Sequence, residues 1–181
     1  MSRPSKLILW TGRKHSGKTT AAGKLARWVR LEGFSVAGLL APVVYKDKQL
    51  VGFGAVDLGQ AKRIALASQR VPAGKREKLV FTEAGLKLGK AALSLPAVRA
   101  AELVIVDEFG PLELAGKGWR KEIDLLLALT DALVVLIVRE ELQEKVQNLY
   151  KNYPSLKLAA NKQESVNEVV NILRNRRFVA E

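Results

Sequence analysis

The stretch Gly12-Arg13-Lys14-His15-Ser16-Gly17-Lys18-Thr19 fits the pattern G-x-x-x-x-G-K-[ST] at every fixed position. Glycine lets a backbone bend closely around an oxyanion because no Cβ stands in the way. Successive backbone N–H groups then form a concave nest for phosphate. A helix beginning near Lys18 adds the positive end of its dipole. The expected roles follow from these groups. Lys18 reaches the β- and γ-phosphates of a nucleoside triphosphate, and the Thr19 hydroxyl ligates Mg²⁺. Arg13, Lys14, His15 and Ser16 fill the variable positions of the cradle, and Thr20 follows it into the helix.

A second constellation lies downstream. Leu103-Val104-Ile105-Val106 is an apolar run that ends in Asp107-Glu108. A buried strand would deliver Asp107 beside the metal. Glu108, one residue on, is then placed to orient and deprotonate an attacking water. The candidate catalytic residues are therefore Lys18, Asp107 and Glu108, and the candidate metal ligands are Thr19 and Asp107. Asn161-Lys162 follows a short apolar run, and Asn161 is expected at the edge of the sheet where a base could be hydrogen-bonded. Asn161-Lys162-Gln163-Glu164 stops short of the guanine-reading pattern Asn-Lys-x-Asp, so broad use of ATP, GTP and other triphosphates is expected.

The elements that must hold these residues are legible as an alternation. Leu7-Ile8-Leu9-Trp10 reads as a buried strand and residues 18 to 32 as a helix stopped by Gly33. Val43 to Phe53 reads as a hairpin with the polar turn Lys46-Asp47-Lys48, and Ile64-Ala65-Leu66 as a further strand. Helices are expected over 83–95, 117–130, 140–153 and 164–174, with strands at 103–106, 132–138 and 156–160. Strands alternating with helical patterns predict an α/β domain of three layers, α/β/α, its sheet mostly parallel and carrying a β-hairpin insertion. No repeat or linker divides residues 1–181, so one domain is expected.

Composition bounds the function. The chain has 181 residues, 48% apolar and 27% charged, with no cysteine and a single histidine, His15. Thiolate and multi-histidine metal sites are excluded. No apolar run approaches the roughly 20 residues of a membrane span, and a cytoplasmic location is the default. The net charge of +12 favours polyanionic partners: nucleotides, and nucleic acid through a basic surface. Residues 70 to 78, with Pro72 and Gly74, read as a mobile basic loop, and Arg70 or Arg76 could close over the phosphates as a lid.

The run Asp107-Glu108-Phe109-Gly110-Pro111-Leu112-Glu113-Leu114 resembles the signature of the small cancer-related nucleoside-triphosphatase family. Gly52-Phe53 and Val56-Asp57-Leu58 are similar to the family's segment behind its first helix. The resemblance implies a compact enzyme hydrolysing nucleoside triphosphates to diphosphate and phosphate. It also implies a core in which another strand separates the phosphate-loop strand from the Asp107 strand. Tyr45 stands where family members often carry an arginine, so that arginine's role is not carried over. Glu113 has two readings: it holds its loop through backbone N–H groups, the favoured one, or it assists a water near Mg²⁺. Two alternatives use the same core: a nucleoside or polynucleotide kinase, and a slowly turning nucleotide-dependent adaptor or switch.

Overall fold

The computed structural model describes residues 6–70 and 78–180. Among the described residues nine strands form one sheet. In chain order the elements are β1 (Leu7–Gly12), α1 (Lys18–Leu31), β2 (Val36–Leu40), β3 (Val43–Lys46), β4 (Gln49–Asp57), β5 (Lys62–Arg70), β6 (Lys78–Phe81), α2 (Glu83–Ala92), α3 (Leu95–Val98), β7 (Leu103–Phe109), α4 (Pro111–Leu114), α5 (Arg120–Leu129), β8 (Leu133–Arg139), α6 (Gln143–Leu149), β9 (Ser155–Ala159) and α7 (Gln163–Ala180).

The spatial order is β6-β5-β4-β2-β7-β8-β1-β9, with β3 on β4. From β2 to β9 every pairing is parallel. The expected intervening strand is β8, which lies between β1 and β7. The insertion is larger than the hairpin and further strand expected: β3, β4, β5 and β6 make an antiparallel meander joined to β2 through β4.

Side-chain alternation sorts the core into two layers. Ile8, Trp10, Ile105, Val135 and Ile137 pack against Ala22, Leu25 and Val29 of α1 and Val169, Val170 and Leu173 of α7. Leu7, Leu9, Val104, Val106, Val134 and Leu136 face the opposite way, against Leu88, Val98, Ile123, Leu126 and Val146 from α2, α3, α5 and α6. Each fully buried aliphatic side chain of these strands contributes roughly 1.5–3 kcal/mol relative to exposure. Three layers result, as the alternation predicts.

Several boundaries differ from the sequence expectation. The helix expected over 83–95 divides at Leu93-Ser94 into α2 and α3; Thr82 caps α2 by accepting from Gly85 N–H at 2.9 Å. Residues 140–153 give a 3₁₀ turn at Glu140–Leu142 and the short α6. The closing helix runs on to Ala180. Arg76 and most of the basic loop lie outside the described residues; of Arg70, the backbone ends β5.

Candidate active site

β1 carries the phosphate loop out of the core. Leu7 to Trp10 are fully buried, so the strand's end is fixed at Thr11-Gly12. His15 (φ +60) and Gly17 (φ +80) both take left-handed backbone, and the loop turns back on itself between them. Glycine holds that conformation without a Cβ penalty at the position from which α1 starts. Ser16 N–H donates to Arg13 O at 3.2 Å and closes the turn. α1 has no acid in its first turn, so nothing offsets its positive end. Lys18 is buried, 6% exposed, and its Nζ donates to Arg13 O at 2.9 Å. Ser16 Oγ is buried and, among the described residues, has no hydrogen-bond partner. An unpaired hydroxyl inside a nest of amides suits an anion acceptor that brings its own lone pairs. Arg13, Lys14, His15 and Thr20 are exposed around the loop. The Arg13 guanidinium lies 3.8 Å from Glu140 in an open ion pair.

β7 brings the acids to the same edge. Its pairing with β8 matches Val106 to Leu136 and then Phe109 to Val138, so Asp107 and Glu108 occupy a bulge. A bulge re-aims the side chains it contains. Here it changes the parity of the strand: Leu103 and Ile105 face α1 and α7, whereas Phe109 packs in the opposite layer with Val104 and Val106. Asp107 is 2% exposed. Its Oδ2 accepts from Ala41 N–H at 3.0 Å, just after β2. The Thr19 side chain lies on the same side and, with Lys18, pulls the Asp107 carboxyl down. Burial raises the Asp107 carboxyl from its ordinary 3.8 to about 6, against the opposing pull of the Ala41 hydrogen bond, Thr19 and Lys18.

Glu108 reaches the solvent side, where its Oε1 accepts from Arg139 Nε at 2.6 Å. Arg139 is the last residue of β8 and lies in register with Gly12 of β1. On the far side of β1, Ala160 N–H donates to Thr11 O at 2.8 Å. Asn161 Nδ2 donates to Ser16 O at 2.7 Å. The carboxyl ends of β7, β8, β1 and β9 thus converge on one crevice, the place where open parallel sheets bind ligands.

A metal ion suits the donor set. Thr19 and Asp107 offer hard oxygens, which favour Mg²⁺ over softer ions. Among the described residues no group of three or more His, Cys, Asp or Glu forms a cage. Mg²⁺ needs none, because it is commonly held by one or two carboxylates together with substrate phosphates.

With this geometry in hand, comparison with known proteins is decisive. A family model described as NTPase matches residues 7–173. The chain belongs to this NTPase family. The nucleoside-triphosphatase THEP1 of Methanothermobacter thermautotrophicus is 34% identical over 141 residues, 75% of this chain and 78% of that protein. The protein of the same name from Pyrococcus abyssi is 31% identical over 126 residues, 68% of this chain and 69% of that one. Among solved structures, THEP1 from the hyperthermophile Aquifex aeolicus superposes with a TM-score of 0.69 at 19% identity, covering 92% of this chain and 98% of that one. A human cancer-related nucleoside triphosphatase gives 0.63 at 20% identity, covering 99% and 98%. Both solved structures share the fold.

In this NTPase, Glu113 is buried and accepts from Gly110 N–H at 2.9 Å and Trp119 N–H at 3.1 Å. It closes the loop that follows the acidic pair, the role its sequence position suggested. Two contributors were missed from sequence. Ala41 acts through its backbone, which no residue-type pattern signals. Arg139 ends an apolar run and so looks like a solvated strand end.

Proposed function

We propose that this chain hydrolyses nucleoside triphosphates to diphosphate and phosphate, with Mg²⁺, and with little preference for the base. The observation that carries the reading is the meeting of the Gly12–Thr19 loop with the Asp107–Glu108 bulge, across Arg139, which is in register with Gly12 and donates to Glu108. The names of the THEP1 relatives point the same way.

In this reading the loop amides and the start of α1 grip the phosphate tail, and Lys18 turns its ammonium from Arg13 O to the β- and γ-phosphates. Mg²⁺, held by Thr19 and Asp107, would supply positive charge against the phosphate oxygens. Glu108 orients a water in line with the γ-phosphorus and takes its proton as the new P–O bond forms. The bond from γ-phosphorus to the bridging oxygen breaks, and the electron pair leaves with the diphosphate. Ser16 Oγ donates to a phosphate oxygen, and Asn161 holds the loop through Ser16 O.

The test is phosphate release from ATP, GTP, CTP and UTP, with and without Mg²⁺. Wild type should turn over all four and need the metal. Glu108→Gln should keep nucleotide affinity while kcat falls by about 10²–10⁴-fold. Lys18→Ala should lose affinity itself. Full activity in Glu108→Gln would remove the general-base assignment. Consumption of ATP that requires a hydroxyl acceptor would move the assignment to a kinase. Among the described residues no helix is long and apolar enough to cross a membrane.

A further inference from the structure

One charged side chain at the crevice has no assignment in the scheme above. β8 is apolar and buried from Leu133 to Val138 and then ends in Arg139. The fold of the strand does not require that charge. Because β8 lies between β1 and β7, its carboxyl end is flanked by the phosphate loop on one side and the acidic bulge on the other. Arg139 is in register with Gly12, and its Nε donates to Glu108 Oε1 at 2.6 Å. Among the described residues this is the one hydrogen bond its guanidinium makes, which leaves the Nη groups to bind a further anion. The two side chains are 30% and 32% exposed, so neither is sealed away from an arriving ligand.

We propose that Arg139 is the positioning residue for Glu108 and the group through which the site distinguishes a triphosphate from a diphosphate. A planar guanidinium can hold a carboxylate with one edge and offer its remaining N–H groups to phosphate. Holding Glu108 restricts the rotamers of the base that must face the attacking water. Offering the remaining donors to the terminal phosphate makes that restriction depend on the triphosphate being present. A diphosphate leaves those donors unused. The inference rests on Glu108 being the base of the proposed hydrolysis, but the discrimination between nucleotides is readable by binding alone.

The experiment compares wild type, Arg139→Ala, Arg139→Lys and Arg139→Gln. Affinities for ADP and for a non-hydrolysable ATP analogue are measured by calorimetry with Mg²⁺, alongside kcat and KM. For Arg139→Ala, kcat should fall by about 10²-fold. ADP affinity should stay within about 2-fold, while the preference for the analogue over ADP should shrink by about 10-fold. Arg139→Lys should recover part of both losses, since an ammonium restores charge without the fork. If analogue and ADP weaken equally, or if kcat is unchanged, the proposal is overturned. Should the alanine variant fold poorly, the Gln variant provides the same comparison with the side chain's bulk retained. A wild type that releases no phosphate would defeat the hydrolase reading, and the analogue-to-ADP ratio would still decide the role of Arg139.

Discussion

At the scale of single residues, Asp107 is the clearest conflict between stability and chemistry. Burial lifts its carboxyl to about 6. The folded chain therefore holds this proton at pH values where the unfolded chain has released it. The sign follows: stability falls as pH rises from about 4 to 6, and above that range the buried charge is a standing cost. Asp107→Asn removes the charge and keeps an oxygen for Ala41 N–H. The variant should be more stable than wild type at about pH 7.5, by about 1–3 kcal/mol, and the difference should vanish below about pH 4. Its Mg²⁺-dependent turnover should be lost. Thermal melts at the two pH values, paired with a phosphate-release assay, check both halves. A variant that melts below wild type at neutral pH would show that the hydrogen bonds to the carboxylate outweigh its desolvation.

At the scale of elements, the crevice depends on contacts between segments distant in sequence. Asn161, at the junction of β9 and α7, donates to Ser16 O across 145 positions. Fixing that carbonyl orients the Ser16–Gly17 peptide, whose N–H belongs to the phosphate nest. Asn161→Ala should raise KM for ATP by about 3- to 10-fold, the worth of one such bond, with kcat nearly unchanged. A fall in kcat at constant KM would instead place Asn161 in the chemical step. This is also where reading the sequence reached its limit. The phosphate loop, the Asp107–Glu108 pair and the alternation of strand and helix were legible because each is local: a spacing, a run, a period. β2 was not, because Val36-Ala37-Gly38-Leu39-Leu40 carries a glycine at its centre, and glycine weakens a strand signal. The structure gives the reason for that residue: φ is +118, and a Cβ there would stand 2.0 Å from Ile105 O. The β7 bulge is invisible for a similar reason. It is a mismatch between two strands, and Phe109 betrays it through the layer it enters, not through its type.

At the scale of the whole molecule, two groups of basic residues lie at opposite edges of the sheet. The crevice lies at the carboxyl ends of the parallel strands. α7 ends across the opposite edge, where its last arginines are pinned. Arg174 pairs with Glu32, Arg176 donates to Asp131 O at 2.7 Å, and Arg177 donates to Gly33 O at 2.8 Å. Arg177 also bonds Glu102 Oε2 at 2.8 Å and stacks over Phe34 at 4.0 Å. These side chains close the fold, which argues against that cluster as a nucleic-acid surface despite a net charge of +12. Arg177, with help from Ser35, holds the Glu102 carboxyl well below its usual range, at about 2. A depressed carboxyl contributes stability that is fully present above its unfolded value of about 4.5 and is lost as pH falls toward about 2. Glu102→Gln should therefore melt below wild type at about pH 7, and the gap should close as pH drops from about 4.5 to 2. High salt should narrow it too, since both partners are partly exposed. Turnover at neutral pH should be unchanged, because the pair sits at the edge of the sheet opposite the phosphate loop. A melting gap that persists at about pH 2 would assign the loss to packing and not to the charge that links α7 to the start of β7.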